Sequence, residues 1–170
     1  MHQQVGDKMS NVIKMDINYF GPDQAGVIGK VYEEFYTDNA GNLTSRSYRM
    51  IKAAGAITAG ALVGGTAATS VKIYTEGLVE AIGAVGVSQH LCYGVSVSTL
   101  ATNEYGFVVC KGVVDGVKAA AGITVGELLK SDANAGRVEG FVLGAGTSNA
   151  VIGVALTATA ASTITAYIEV

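Results

Sequence analysis

The sequence predicts a mainly all-β protein, with an N-terminal arm (1–50) followed by two tandem small antiparallel β-barrel or sandwich modules (51–116 and 117–170). Glycine accounts for 23 of the 170 residues, and a glycine inside a helix costs about 1 kcal/mol relative to alanine. The hydrophobic fraction is 49% and the charged fraction 15%, whereas a disordered chain has low hydrophobicity and high net charge. Several segments also alternate between apolar and polar residues, as strands with one buried face do.

The arm differs in composition from the rest of the chain. Residues 1–50 hold 11 of the 25 charged residues, six of the 12 Phe and Tyr residues and all four methionines. Alternation over Ile13–Tyr19 predicts a strand, and apolar residues repeating every four positions over Val27–Tyr36 predict a short helix. The arm either packs on the body or reaches a neighbouring subunit, because aromatic residues and methionine anchor interfaces.

The body contains an internal repeat, so we predict that the second module is a copy of the first. Ile51–Val63 matches Val117–Leu129 at 7 of 13 positions, with an offset of 66 residues. A second match aligns Gly94–Thr102 with Gly153–Ala161 at an offset of 59. The change of offset indicates a loop that is seven residues shorter in the second copy.

Short strands separated by turns are predicted within each copy. Residues 164–170 alternate most clearly, with Ile, Ala, Ile and Val on one face and Thr, Tyr and Glu on the other. Val71–Glu76 and Val95–Ser98 alternate in the same way. Asp132–Gly136 carries the Asp, Asn and Gly residues typical of a turn, ahead of a further strand.

Charge and hydropathy exclude several classes of partner. With 11 basic and 14 acidic residues the net charge is −3, which provides no positive field for nucleic acid or an anionic membrane. The long uncharged stretches are filled with Gly, Ala, Ser and Thr, so they are not expected to span a membrane. The N-terminal residues have no apolar stretch of the kind found in secretory signal peptides.

Catalytic and metal-binding templates are incomplete in this sequence. Gly26–Lys30 is too short for a phosphate-binding loop, and the segment containing Ser88 and His90 lacks the closing glycine of a nucleophile elbow. His90 and Cys92 provide two potential zinc ligands where three or four are needed. The acidic residue that would close a calcium loop after Asp132 is missing. We therefore assign no catalytic, cofactor-binding or metal-binding residue, and expect no cofactor.

The two cysteines, Cys92 and Cys110, are expected to be buried free thiols. A disulfide between them is the alternative if they lie on neighbouring strands.

A series of short motifs carries a family resemblance. Gly-x-x-Gly-Lys-Val-Tyr at Gly26–Tyr32 is followed by repeated Ile-Thr-x-Gly-x-Leu units at Ile57–Leu62 and Ile123–Leu128. The chain then closes with an Ala- and Thr-rich turn and a final strand within Ile152–Ile168. This order resembles the capsid cement, or decoration, proteins of tailed double-stranded DNA bacteriophages.

The resemblance implies a non-enzymatic virion protein on the outer capsid surface. Such a protein binds the major capsid protein, stabilises contacts between capsomers and commonly forms a homotrimer. Composition, rather than the resemblance, suggests the contact residues in the arm: Tyr19, Phe20, Tyr32, Phe35 and Tyr36. The alternative hypothesis is a head-fibre or tail-associated module that binds host glycans.

Overall fold

Ten β-strands form the regular structure in the computed structural model, which describes residues 29–37, 41, 43–65, 78–81, 92–142 and 151–170. The predicted all-β class is confirmed. Because every described element is a strand, this part of the chain contains no apolar helix of membrane-spanning length. The strands are β1 (Val31–Thr37), β2 (Leu43–Ala53), β3 (Leu62–Gly64), β4 (Leu78–Ala81), β5 (Cys92–Ser96), β6 (Tyr105–Lys118), β7 (Leu128–Ser131), β8 (Val138–Gly140), β9 (Gly153–Ala155) and β10 (Thr163–Glu169).

The strands pair into one sheet in the order β1-β2-β4-β3-β5-β6-β10-β9-β7-β8, with an additional pairing between β2 and β6. All pairings between named strands are antiparallel except β2–β4. The sheet as a whole is not closed, because β1 and β8 lie at its two ends. One sheet runs through both halves of the chain, and within it the pairing of β2 with β6 joins β2, β4, β3, β5 and β6 into a ring.

The long strand β6 joins the halves of this sheet. Its first part pairs with β2 and β5, and its second part pairs with β10. We call the strands from β2 to β5, together with the first part of β6, the first unit. The second part of β6, together with the strands from β7 to β10, is the second unit. Both predicted module boundaries fall inside strands, after residue 50 in β2 and after residue 116 in β6, and the division into domains stays a prediction.

The two units make the same strand pairings. The spatial strand order β2, β4, β3, β5, β6 in the first unit corresponds to the order β6, β8, β7, β9, β10 in the second. The parallel pairing of β2 with β4 has its counterpart in a parallel bridge between Ala119, just beyond the end of β6, and Val138 in β8. The Gly60 N–H donates to the Ser96 carbonyl at 2.9 Å, and the Gly126 N–H donates to the Ala155 carbonyl at 2.8 Å. These hydrogen bonds follow the offsets of 66 and 59 residues between the two sequence matches.

Two hydrophobic cores lie on opposite faces of the first unit. One belongs to the first unit and includes Ile51, Val63 and Leu100. The other, which we call the main core, contains residues of both units, among them Tyr48 and Leu129. The main core therefore packs the second unit against the first, in addition to the strand they share.

The predicted helix over 27–36 is wrong for its described part, because residues 31–37 form strand β1. β1 is antiparallel to β2, and Val31 pairs with Arg49 while Thr37 pairs with Leu43. A four-residue spacing places side chains on one face of a helix, but four is also a multiple of the two-residue period of a strand. The apolar rows are therefore compatible with both structures, and pairing with β2 selects the strand.

The final strand agrees with its predicted alternation up to its end at Glu169, whereas Val170, predicted on the buried face, lies beyond β10 and is 36% exposed. Ile164, Ala166 and Ile168 are buried, whereas Thr165 and Tyr167 lie on the other face. A turn at 132–136 precedes β8, as predicted. The predicted strands at 13–19 and 71–76 lie outside the described residues.

Candidate functional site

Three of the five predicted contact residues lie on β1, which forms an antiparallel pair with β2. Tyr32 pairs with Tyr48, Phe35 with Ser45, and Tyr36 with Thr44. Alternation therefore places Tyr32 and Tyr36 on one face of β1 and Phe35 on the other. Tyr19 and Phe20 lie outside the described residues. The structure does not bring the three described aromatic side chains onto one surface.

Tyr32 and Tyr36 face inward and make specific contacts. The Tyr32 ring packs edge-on against Phe107, with 6.1 Å between ring centroids and an interplanar angle of 85°. Tyr36 is covered by the Arg46 guanidinium, whose Cζ atom lies 4.3 Å from the ring centroid. These rings connect β1 to the body and are only partly accessible to another molecule.

A polar network on the same face holds β1 against β2 and β6. The Tyr48 hydroxyl donates to Glu34 Oε2 at 2.7 Å, and Arg46 Nε donates to the Val113 carbonyl at 2.6 Å. Burial, together with the hydrogen bond to Glu34, raises the pKa of Tyr48 to about 12. The network therefore keeps Tyr48 protonated to a higher pH than an exposed tyrosine, and it fixes the inward face of β1.

The opposite face of the β1–β2 pair is exposed and carries three large apolar side chains, with the charged Glu33 between two of them on β1. Phe35 is 67% exposed and Leu43 is 76% exposed. Because Leu43 pairs with Thr37, Phe35 and Leu43 are diagonal neighbours, a spacing that lets large side chains touch. Val31, also exposed, lies further along the same face. We call Val31, Phe35 and Leu43 the hairpin face.

The hairpin face lies at an open edge of the sheet. Among the described strands, β1 pairs only with β2, so its outer edge has no strand partner there. An edge strand presents backbone N–H and C=O groups to another chain, and an apolar patch beside it adds side-chain contacts. The arrangement is suited to binding a protein surface.

A cleft of about 290 Å³ lies between the two units. Its charged lining residues already have partners within the chain, because Arg46 donates to Val113 and Asp115 accepts a 2.8 Å hydrogen bond from the Thr165 hydroxyl. The sequence does not predict this cleft. Its walls come from segments far apart in the chain, and no local pattern marks them.

The residues that the sequence offered as possible catalytic groups or metal ligands do not form a site among the described residues. Ser88 and His90 lie outside the described residues, and Cys92 and Cys110 are free thiols. Burial raises the pKa of Cys92 to about 12 and also raises that of Cys110, so both are protonated at neutral pH. Within the described ranges, His, Cys, Asp and Glu form no group of three or more that could hold a metal ion.

The Asp132 carboxylate takes part in the turn before β8. Its Oδ2 atom lies 3.1 Å from Arg137 Nε and accepts a 3.4 Å hydrogen bond from the Asn134 side-chain amide. These contacts agree with the turn predicted from the sequence.

Comparison with known proteins finds solved structures that are similar to this fold. No family model matches the sequence, and no curated protein does. The crystal structure of the head fiber gp8.5 N base in bacteriophage phi29 is similar over 72% of this chain and 92% of that chain, with a TM-score of 0.49 and 15% sequence identity. A similarity of this degree does not identify a function, because unrelated functions share folds.

Proposed function

We propose that this chain is a non-enzymatic structural protein of a bacteriophage head, and specifically a capsid cement protein on the outer surface of the shell. The proposal is supported by the motif order that resembles the cement family. The exposed hairpin face at the open edge of the sheet is the single structural observation that carries it. Exposed apolar patches of this kind mark protein–protein interaction sites.

The partner proposed for the hairpin face is the major capsid protein. A net charge of −3 gives the chain no electrostatic reason to face packaged DNA, because DNA binding requires neutralisation of phosphates by Lys and Arg. Phe35 and Leu43 match the large apolar side chains that anchor protein interfaces. Weak contacts of this kind, repeated across a shell by linked copies, add up through multivalency.

A binding experiment tests the role of the hairpin face. Heads of the source phage that lack this chain are mixed with wild-type protein or with Phe35→Asp, and bound protein is measured after pelleting. We expect Phe35→Asp to weaken binding by on the order of tenfold or more, because it places a charge in an apolar contact. Val125→Asp is the matched control, since Val125 is equally exposed but lies on a loop of the second unit.

Equal binding by wild type and Phe35→Asp would contradict this assignment of the contact.

Copy number in purified virions separates the proposal from the head-fibre or tail-associated alternative. Quantitative mass spectrometry should give one copy per major capsid subunit or a simple fraction of it. A few copies per particle would support the fibre or tail alternative, and absence from the virion would overturn both.

A further inference from the structure

Four residues on the outward face of the second unit form a continuous apolar row across four strands. Direct cross-strand pairing joins Leu128 to Val154, Val154 to Tyr167, and Tyr167 to Val113. We call these four residues the outer row. Leu128 is 40% exposed, and the other three are partly exposed.

The first unit has a row at the equivalent strands. Leu62, Val95, Val109 and Tyr48 are joined by the same chain of pairings across β3, β5, β6 and β2. Both rows contain one Leu, two Val and one Tyr. In the first unit all four residues are buried and belong to the main core, together with residues of the second unit.

The second unit covers the row of the first by direct contact. The Leu62 N–H donates to the carbonyl of Gly136, in the turn between β7 and β8, at 3.0 Å. Gly136 also packs against Ala61. In tandem-repeat proteins the last repeat usually has a polar outer face, because no further repeat covers it. The outer row instead keeps the apolar composition of a covered surface.

Charged residues beside the outer row point to what covers it. Lys130 and Glu139 pair across β7 and β8 with 2.7 Å between Nζ and Oε1, and Lys111 and Glu169 pair across β6 and β10 with a corresponding distance of 3.1 Å. Lys130 and Glu169 each lie two residues beyond a member of the outer row, on the two strands that flank β9, and these strands run in the same direction. A half-turn about β9 places Lys130 opposite Glu169, which carries a charge of the other sign.

We infer that this face is a two-fold interface between two copies of this chain, with the axis parallel to β9. Packing of the two copies along β7, β9 and β10 sets Lys130 opposite the partner's Glu169, and Glu169 opposite the partner's Lys130. Val154 meets its own counterpart at the axis. Such a two-fold interface must be self-complementary, as this pattern of charges and apolar residues is.

The inference rests on β6–β10 and not on the proposed capsid role. The hairpin face lies on β1 and β2, so capsid binding and self-association involve different residues. A two-fold contact can join free chains, or chains that belong to neighbouring trimers.

Sedimentation velocity of the full chain tests the association. Wild type is expected to sediment with twice the chain mass and to dissociate on dilution. Leu128→Glu is expected to weaken the association by on the order of tenfold or more, because the new carboxylate would be buried without a partner. The matched control is Leu43→Glu, which makes the same change at a more exposed leucine off this face. Thermal unfolding of both variants checks that they are folded.

Cross-linking tests the position of the axis. Packed sheets lie about 10 Å apart, so a bis-maleimide of about that length is expected to join two Val154→Cys chains. Leu43→Cys and wild type are the controls, and neither is expected to give the cross-linked dimer. A monomeric wild type, an association unaffected by Leu128→Glu, or Val154→Cys chains that do not cross-link to each other would each overturn the inference.

Discussion

Gly60 lies against the backbone of Gly116 so closely that a Cβ atom on Gly60 would collide with the Gly116 carbonyl oxygen. The equivalent residue of the second unit, Gly126, has the same backbone conformation, with φ +83° against +75° for Gly60, but open space where a Cβ would be. The tight contact therefore belongs to the junction between the units and not to the turn.

Gly60→Ala is expected to destabilise the protein by about 3 kcal/mol or more, because it combines left-handed strain with a backbone clash. Gly126→Ala is expected to cost about 1–2 kcal/mol, since it carries the strain without the clash. Denaturant unfolding of both variants measures the difference. Equal losses of stability would show that the units do not pack as closely at Gly60 as the structure indicates.

Leu62→Ala and Leu128→Ala test whether the second unit covers the first. Leu62 is fully buried, so its truncation is expected to cost about 2–5 kcal/mol. Truncation of the partly exposed Leu128 to alanine is expected to lower the free energy of unfolding of the dissociated chain by less than about 1 kcal/mol. Chemical denaturation at low protein concentration makes the comparison. A small loss for Leu62→Ala would mean that the first row is not enclosed.

The raised pKa of Tyr48 predicts a loss of stability at high pH. An unfolded tyrosine ionises near pH 10.0 and folded Tyr48 near pH 12. Below pH 10 both states hold the proton and the stabilisation is complete, whereas between pH 10 and 12 only the unfolded state releases it. Wild type is therefore expected to lose on the order of 2 kcal/mol relative to Tyr48→Phe across this interval.

Unfolding of both proteins at several pH values between 8 and about 12 measures that difference. The two cysteines titrate in the same way in both proteins, so their contributions cancel. A gap between wild type and Tyr48→Phe that does not change with pH would contradict the burial of the Tyr48 hydroxyl beside Glu34.

The two thiols are expected to react slowly in the folded protein. At pH 8, burial of Cys92 leaves a thiolate fraction at least about a hundredfold below that of an exposed cysteine. Labelling by a thiol reagent should be correspondingly slow and should rise with pH, while both thiols react at once in guanidinium. Fast labelling of either thiol in the native protein would show that it is accessible.

Local patterns in the sequence determined the class of this fold. Glycine content and low charge predicted strands, and the alternation over 164–170 predicted which residues of β10 are buried. These patterns succeed because a two-residue period reports directly on a sheet with one buried face. The two sequence matches have offsets that the strand pairings of the two units also follow, and the division of the chain into two modules stays a prediction.

The tertiary structure alone decided how the units are joined and which surfaces remain free. The four-residue spacing over 27–36 fits a helix and a strand equally, and only pairing with β2 turns Phe35 outward and Tyr32 and Tyr36 inward. Leu62 and Leu128 occupy equivalent places in the two sequence copies, yet one is enclosed and the other partly exposed. That difference depends on a neighbour distant in the chain, which no local pattern encodes.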